Sequence, residues 1–392
     1  MTVHRLKFPV MFSFGFGQLA EAIKNSGFNV FLLFYYNQVL GVSATLTSVA
    51  LAIALMFDAV SDPLVGSFSD KLRTRFGRRH PLILMAALPL GFSFYCLFNP
   101  PSMTSDWAHF IWLLGFAILV RASLTLYHVP HLALGAELAE DYHQRSTLYA
   151  MSTFFGFLGG ALFVPVSYTL FFPTTDVFNP ALLNKAAYQP WSLMAAGLMI
   201  FAIVVCVIGT RREIPRLVQR VDSDARQLMR LSALIQEFRE AFNNRSFRAI
   251  FFGMMLSTLV LSVEGVFNPF MGFHFWGLTT EQLRWIPLAQ LVGLFLSLSL
   301  LPIMTRWLDK KRTLIVSALL VILNINIPIV LSLSGVSWFP AQGSQSLLIV
   351  LILSGLVTAV LAPIIFATLN SMFADIADEH ELDTGFRREG VI

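Results

Sequence analysis

Met56-Phe57-Asp58-Ala59-Val60-Ser61-Asp62-Pro63 runs on to Asp70-Lys71-Leu72-Arg73-Thr74-Arg75-Phe76-Gly77-Arg78-Arg79-His80-Pro81. The first half sets two carboxylates four residues apart, on one face of a helix. The surrounding stretch from Leu46 to Phe68 is otherwise apolar and long enough to cross a bilayer, which takes roughly 20 residues. An ionised Asp at bilayer depth costs about 2.5–3.5 kcal/mol or more, so a pair of them needs partners or a task. Pro63 cannot donate to the carbonyl of Ala59, which leaves a third oxygen source beside the two acids. Three clustered oxygens suit a proton or a small hard cation. A plainer reading, in which each Asp only hydrogen-bonds a neighbouring helix, stands beside it. The basic second half marks a cytoplasmic loop.

Outward from this stretch, the composition agrees. Of 392 residues, 56% are apolar and 13% are charged, against about 25% charged in soluble domains. The chain therefore reads as a polytopic helical membrane protein, and its 37 Phe suit lipid contact and packing between helices. Cys96 and Cys206 both sit in apolar runs, which argues against a disulfide framework or a metal site. The first apolar run lacks a small-residue cleavage pattern and reads as a retained helix. No phosphate-cradling glycine loop, nucleophile elbow or metal-ligand spacing appears, so an enzyme is not expected.

Hydropathy and loop signals place about ten spans near 9–39, 46–69, 81–99, 108–138, 146–172, 190–210, 247–275, 283–305, 313–334 and 346–375. Arg5, Lys7, the 71–79 cluster, Arg145, the basic residues of 211–248, the Arg306–Arg312 cluster, Arg387 and Arg388 then fall on one side. The other side holds only Lys185 and Arg284, with Lys24 and Arg121 inside spans. This asymmetry puts both ends of the chain on the cytoplasmic side of a cell (inner or plasma) membrane. Residues 1–210 form one expected bundle and 247–392 a second. Between them, residues 211–246 form a basic linker, with Leu228, Leu231, Ile235, Phe238 and Phe242 at the spacing of an amphipathic surface helix.

The two bundles echo each other. Ala136-Glu137-Leu138-Ala139-Glu140-Asp141 recurs 238 residues later as Ala374-Asp375-Ile376-Ala377-Asp378-Glu379, and Gly41-Val42-Ser43 recurs 236 residues later as Gly277-Leu278-Thr279. Repeats of this kind mark transporters built from two halves. The first half continues for two helices past Asp141 and the second does not, so the expectation is a twelve-helix design lacking its last two.

Residues 58–81 resemble the glycoside–pentoside–hexuronide:cation symporters of the major facilitator superfamily. So do Tyr127-His128-Val129-Pro130-His131 running to Glu137, and Asp378-Glu379-His380-Glu381-Leu382 with Thr384-Gly385 and Arg387-Arg388-Glu389-Gly390. The likeness covers essentially the whole chain. It implies an all-α bundle of two six-helix pseudo-repeats and cation-coupled uptake of a sugar or glycoside by a monomer in the bilayer. A coupling proton or sodium ion replaces any cofactor, and nucleic acid has no part. By the same resemblance Asp58 and Asp62 bind the coupling cation, and Glu21 and Lys24 fall near charged residues that recognise sugar. The chain departs from the pattern where His128 replaces an Asp before Val-Pro and where the family's helix-five Arg is replaced near Thr153.

The chemistry of the candidates fits a polar solute. Glu21, Lys24 and Asn25 share a helical face and offer the donors and acceptors that sugar hydroxyls need; a structural ion pair is the alternative. Arg121, Tyr127 and His128 add polar reach, and Asp58, Asp62 and His128 make a possible proton relay. Glu264 and Asn268, one turn apart before Pro269, are candidate solute ligands by the two-half logic. Asp70, Arg73, Arg75, Arg78 and Arg79 are expected to form a cytoplasmic gate with Glu137, Glu140, Asp141, Asp375, Asp378 and Glu379, or else only a solvated basic face. Two other functions remain open at this point: an amphipathic lipid or drug carrier of the same fold, and a truncated, non-transporting remnant or sensor.

Overall fold

The computed structural model describes residues 6–139, 142–221, 242 and 245–384. Among the described residues every regular element is a helix. Eight helices among the described residues are long and apolar enough to span a bilayer. One of them, Thr280–Leu333, is broken at Asp309, and an interrupted first helix precedes them all. Two compact units result, one of Met1–Ala225 with Thr279–Glu281 and one of Arg226–Leu278 with Gln282–Ile392. Of the apolar linker positions, Leu228, Leu231, Ile235 and Phe238 lie outside the described residues.

The first unit opens with α1 (Phe8–Gly17) and α2 (Leu19–Ser26), which Gln18 separates. The chain then widens into π-helical turns at Gly27–Leu32 and Tyr35–Val39. Next come α3 (Ala44–Lys71), α4 (His80–Leu97), α5 (Asp106–Leu138), α6 (Tyr142–Leu170), α7 (Tyr188–Thr210) and α8 (Ile214–Val221). Ser105 caps α5, its hydroxyl accepting from Ala108 N at 3.2 Å.

The widened first helix is wedged into an aromatic core. Trp191 of α7 is fully buried and lies 4.5 Å from Phe31 and 4.8 Å from Phe98, centroid to centroid. Its indole N–H donates to Ser167 Oγ at 2.8 Å. Gly27 permits this closeness, because a Cβ there would stand 2.6 Å from Phe94 Cζ. On the other side, α3 meets α5 through a seam of small buried residues, Thr47, Ala50, Ala54, Ser61 and Ser69. A seam without bulky side chains lets two helix backbones approach closely, as membrane helices commonly do.

The second unit holds α9 (Arg245–Phe270), a π turn at Met271–Phe275, α10 (Thr280–Leu283, its start grouped with the first unit), α11 (Trp285–Leu333) and α12 (Gln345–Thr384). Asn324 Nδ2 ties α11 to α12, donating to Ser354 O at 2.8 Å and Thr358 Oγ1 at 3.1 Å. Phe247, Val321, Leu361, Ile364, Ile365 and Leu369 form its core. The Arg306–Arg312 stretch, expected as a loop, is helical on both sides of one residue. Asp309 alone leaves the helix, at φ 63° and ψ 161°, a region that residues with a side chain rarely adopt.

The repeat is visible in the backbone. Leu40 N bonds to Tyr35 O at 3.0 Å and Val42 N to Tyr36 O at 2.9 Å. In the second unit Trp276 N bonds to Met271 O at 2.8 Å and Leu278 N to Gly272 O at 3.0 Å. Each of these four partners sits 236 residues from its counterpart, the offset already carried by Gly41 and Gly277. Both glycines take positive φ, 74° and 64°, which closes each wide turn and sends the chain to the next span.

Overpacking a closed site costs about 1–3 kcal/mol. Gly27→Val should therefore lower the melting temperature of the detergent-solubilised protein clearly. Gly160→Val, where a Cβ meets nothing within 4 Å, should leave it nearly unchanged.

Candidate cation and solute site

Three helix faces of the first unit carry polar side chains at turn spacing. On the first helix these are Gln18, Glu21, Lys24 and Asn25, followed by Phe28. On α3 they are Asp58, Ser61 and Asp62, and on α5 Arg121, Thr125 and His128. Each set recurs at intervals of three or four residues, so each occupies one side of its helix.

Between α3 and α5 the faces meet in two rungs. Arg121 Nη1 donates to Asp58 Oδ2. One turn further along, Thr125 Oγ1 donates to Asp62 Oδ1 at 2.7 Å, with Ser61 Oγ 3.5 Å from the same hydroxyl. The first rung is a full ion pair; the second is a neutral hydroxyl on a carboxylate. Asp58 Oδ1 and Arg121 Nε are buried without a hydrogen-bond partner, so the ion pair is a single contact and not a two-pronged fork.

The first helix faces the same region. His128 Nδ1 lies 3.0 Å from Glu21 Oε2, and Gln18 Nε2 donates to that oxygen as well. Asn25 Nδ2 donates to Glu21 Oε1 at 3.4 Å, and Lys24 Nζ donates to Asn25 Oδ1 at 3.3 Å. Lys24 Nζ stands 4.7 Å from the centroid of Phe28, and Arg121 Cζ stands 5.5 Å from the same ring. One aromatic ring therefore serves two cations.

The structure sorts the expected residues. Asp58, Asp62, Glu21, Lys24, Asn25, Arg121 and His128 come together on these faces. Glu21 takes His128, not Lys24, as its ion-pair partner, and His128 lies beyond ion-pair distance of Asp58 and Asp62. Tyr127 turns the other way: it is fully buried, stacks on His131 at 5.2 Å and holds its hydroxyl in the gap left by Gly17. His131 is held structurally, its Nε2 3.0 Å from Phe14 O. Glu264 and Asn268 lie one turn apart on α9 of the second unit, the first half-buried and the second exposed. Sequence reasoning missed Thr125, Ser61, Gln18 and Phe28. Thr125 was findable, because it falls midway between Arg121 and His128 on one helical face.

A second polar cluster closes the other end of α3. Arg79, almost wholly buried, donates through Nε to Glu137 Oε1 at 2.8 Å, through Nη1 to Ser69 Oγ at 2.6 Å and through Nη2 to Asp70 Oδ1. Arg78 reaches the same Glu137 oxygen at 2.9 Å. Arg73 and Arg75 line an adjoining cavity of about 350 Å³, and Arg75 rests on Phe76 at 4.9 Å. Glu140 and Asp141 lie outside the described residues, as do the side chains of Asp375, Asp378 and Glu379.

A family model described as MFS/sugar transport protein matches residues 13–392. The chain belongs to that family. It is thus a multi-pass membrane protein of the major facilitator superfamily, in the glycoside–pentoside–hexuronide:cation symporter group, whose members are transporters and not enzymes. An uncharacterized symporter of Synechocystis is 30% identical over 176 residues, 43% of this chain and 32% of that protein. The inner membrane symporter YicJ of Escherichia coli is 22% identical over 380 residues, 96% of this chain and 76% of the symporter. The fold of this MFS protein is shared with the E. coli xylose transporter XylE in a partially occluded inward-open conformation. That likeness has a TM-score of 0.57 at 16% identity, over 94% of this chain and 86% of the transporter.

Removing one partner from a buried ion pair costs about 3–5 kcal/mol. Arg79→Met should fall at the low end of that range, since Glu137 keeps Arg78 and Asp70 is half exposed. Arg73→Met should cost little. Thermal unfolding of the two variants side by side measures the difference.

Proposed function

We propose that the protein is a secondary active transporter that moves a sugar or glycoside together with a proton or sodium ion by alternating access. The observation that carries the reading is the pair of α3 carboxylates, Asp58 and Asp62, set one turn apart in a spanning helix and met by Arg121 and Thr125 of α5. Acids kept at such depth mark ion pathways. Beside them, Lys24 donates, while Asn25 and His128 each donate and accept. That is the repertoire a polyhydroxylated solute requires. The family's description as a sugar transporter supports the solute class.

In this reading Asp62 takes the coupling ion, and Glu21, Lys24, Asn25 and His128 bind solute hydroxyls. The protein works as a monomer in the inner membrane, with the Arg79 cluster on the cytoplasmic side. Coupling follows from shared position: filling the acid site and the solute face together shifts the population toward the reoriented state.

Proteoliposomes holding the full chain test this with a panel of labelled monosaccharides and glycosides under imposed proton and sodium gradients. The expected result is uphill accumulation of at least one sugar, driven by one of the two gradients. Asp62→Asn should abolish accumulation while sparing exchange of labelled for unlabelled sugar. Undiminished accumulation by that variant would remove the coupling role.

A further inference from the structure

The two rungs between α3 and α5 are chemically unequal, and the inequality has a meaning for ion binding. Asp58 faces a permanent charge, since a guanidinium does not give up its proton in a protein. Asp62 faces only the hydroxyl of Thr125 at 2.7 Å. A hydroxyl orients a carboxylate but leaves its charge intact.

The charges nearby lead to the same conclusion. Glu21, Asp58 and Asp62 are acids; Lys24 and Arg121 are bases, and His128 stands on Glu21. With His128 neutral the cluster is one positive charge short. Asp62 is the acid of the three without an ion pair, because Arg121 sits on Asp58 and His128 on Glu21, while Lys24 donates to Asn25.

We infer that Arg121 is a tethered counter-cation that withdraws Asp58 from ion binding, leaving Asp62 with Thr125 as the single seat for one external monovalent cation. The inference rests on the symport reading and goes beyond it, by making Arg121 the residue that sets how many ions the site holds and which. A free ion reaching Asp58 has to displace a charge fixed to the next helix, whose effective concentration is far above that of any solute ion. The contact is nevertheless a single one, with Asp58 Oδ1 and Arg121 Nε unpartnered. Removing the guanidinium therefore leaves Asp58 without its counter-charge and one turn from a second carboxylate: the makings of a sodium site.

The test uses thermal unfolding of the full chain in detergent, in sodium chloride against choline chloride and across a pH series, so that sodium and protons are read separately. Wild type should show one cation response, lost in Asp62→Asn. Arg121→Gln should gain a sodium-specific rise in melting temperature of a few degrees that wild type lacks. Adding Asp58→Asn to Arg121→Gln should cancel the gain and restore the wild-type response, and Arg121→Lys should behave as wild type. A purely structural ion pair would alter stability in these variants without altering ion selectivity.

If Arg121→Gln does not fold, the doubly neutral Arg121→Gln/Asp58→Asn protein still decides the matter. Retention of the wild-type response supports the inference, and its loss overturns it. An Arg121→Gln protein that is folded and no more sensitive to sodium than wild type also overturns it. Wild type with no response that Asp62→Asn removes would refute the symport reading instead, while the sodium gain in Arg121→Gln would still report on Arg121.

Discussion

A carboxylate inside a membrane-spanning helix has to be met by something, and in the first unit that demand fixes how α3 lies on α5. The α5 side chains that meet the two acids, Arg121 and Thr125, are themselves one turn apart, so the helices can pair in only one register. A shift by one residue would carry both acids off their partners. Dispersion contacts between apolar helices are permissive by comparison, because lipid tails are as good a neighbour as Leu.

The packing around these rungs serves their geometry. Small residues along α3 keep the two backbones near enough for short side chains such as Thr125 and Asp62 to touch. On the far side, the ring cluster around Trp191 holds the widened first helix, so the face with Glu21 and Lys24 stands at a fixed place beside α5. At the other end of α3, Arg79 gathers Ser69, Asp70 and Glu137 and so pins α3, α4 and α5 together. The ordering is from apolar scaffold to polar contact, with ionisable groups at the few positions where helices must not slip.

Much of this was legible in the sequence. The helical spans follow from hydropathy, and the 236-residue offset read at Gly41 reappears as matched hydrogen bonds. The acid pair and the first-helix polar face were legible because ionisable residues stand out in apolar runs. What was not legible was partnership. Spacing along one helix brings Glu21 near Lys24, but it cannot show that His128 of another helix arrives at 3.0 Å. Nor can it show that Tyr127, one residue before His128, faces into the core: adjacent helical positions differ by about 100°, and only packing decides which one turns inward. Hydroxyl residues such as Thr125 and Ser61 carry too little polarity to be noticed until an acid is placed against them.

The aromatic cage has one consequence for spectroscopy. Trp191 is sealed from solvent, with its indole N–H fixed on Ser167, whereas Trp107, Trp307 and Trp338 are largely exposed. An indole in such surroundings emits at shorter wavelength than one in contact with water, and small quenchers cannot collide with it. The protein thus contains an optical marker for the interior of its first unit, one that a collisional quencher reaches less readily than Trp107, Trp307 and Trp338.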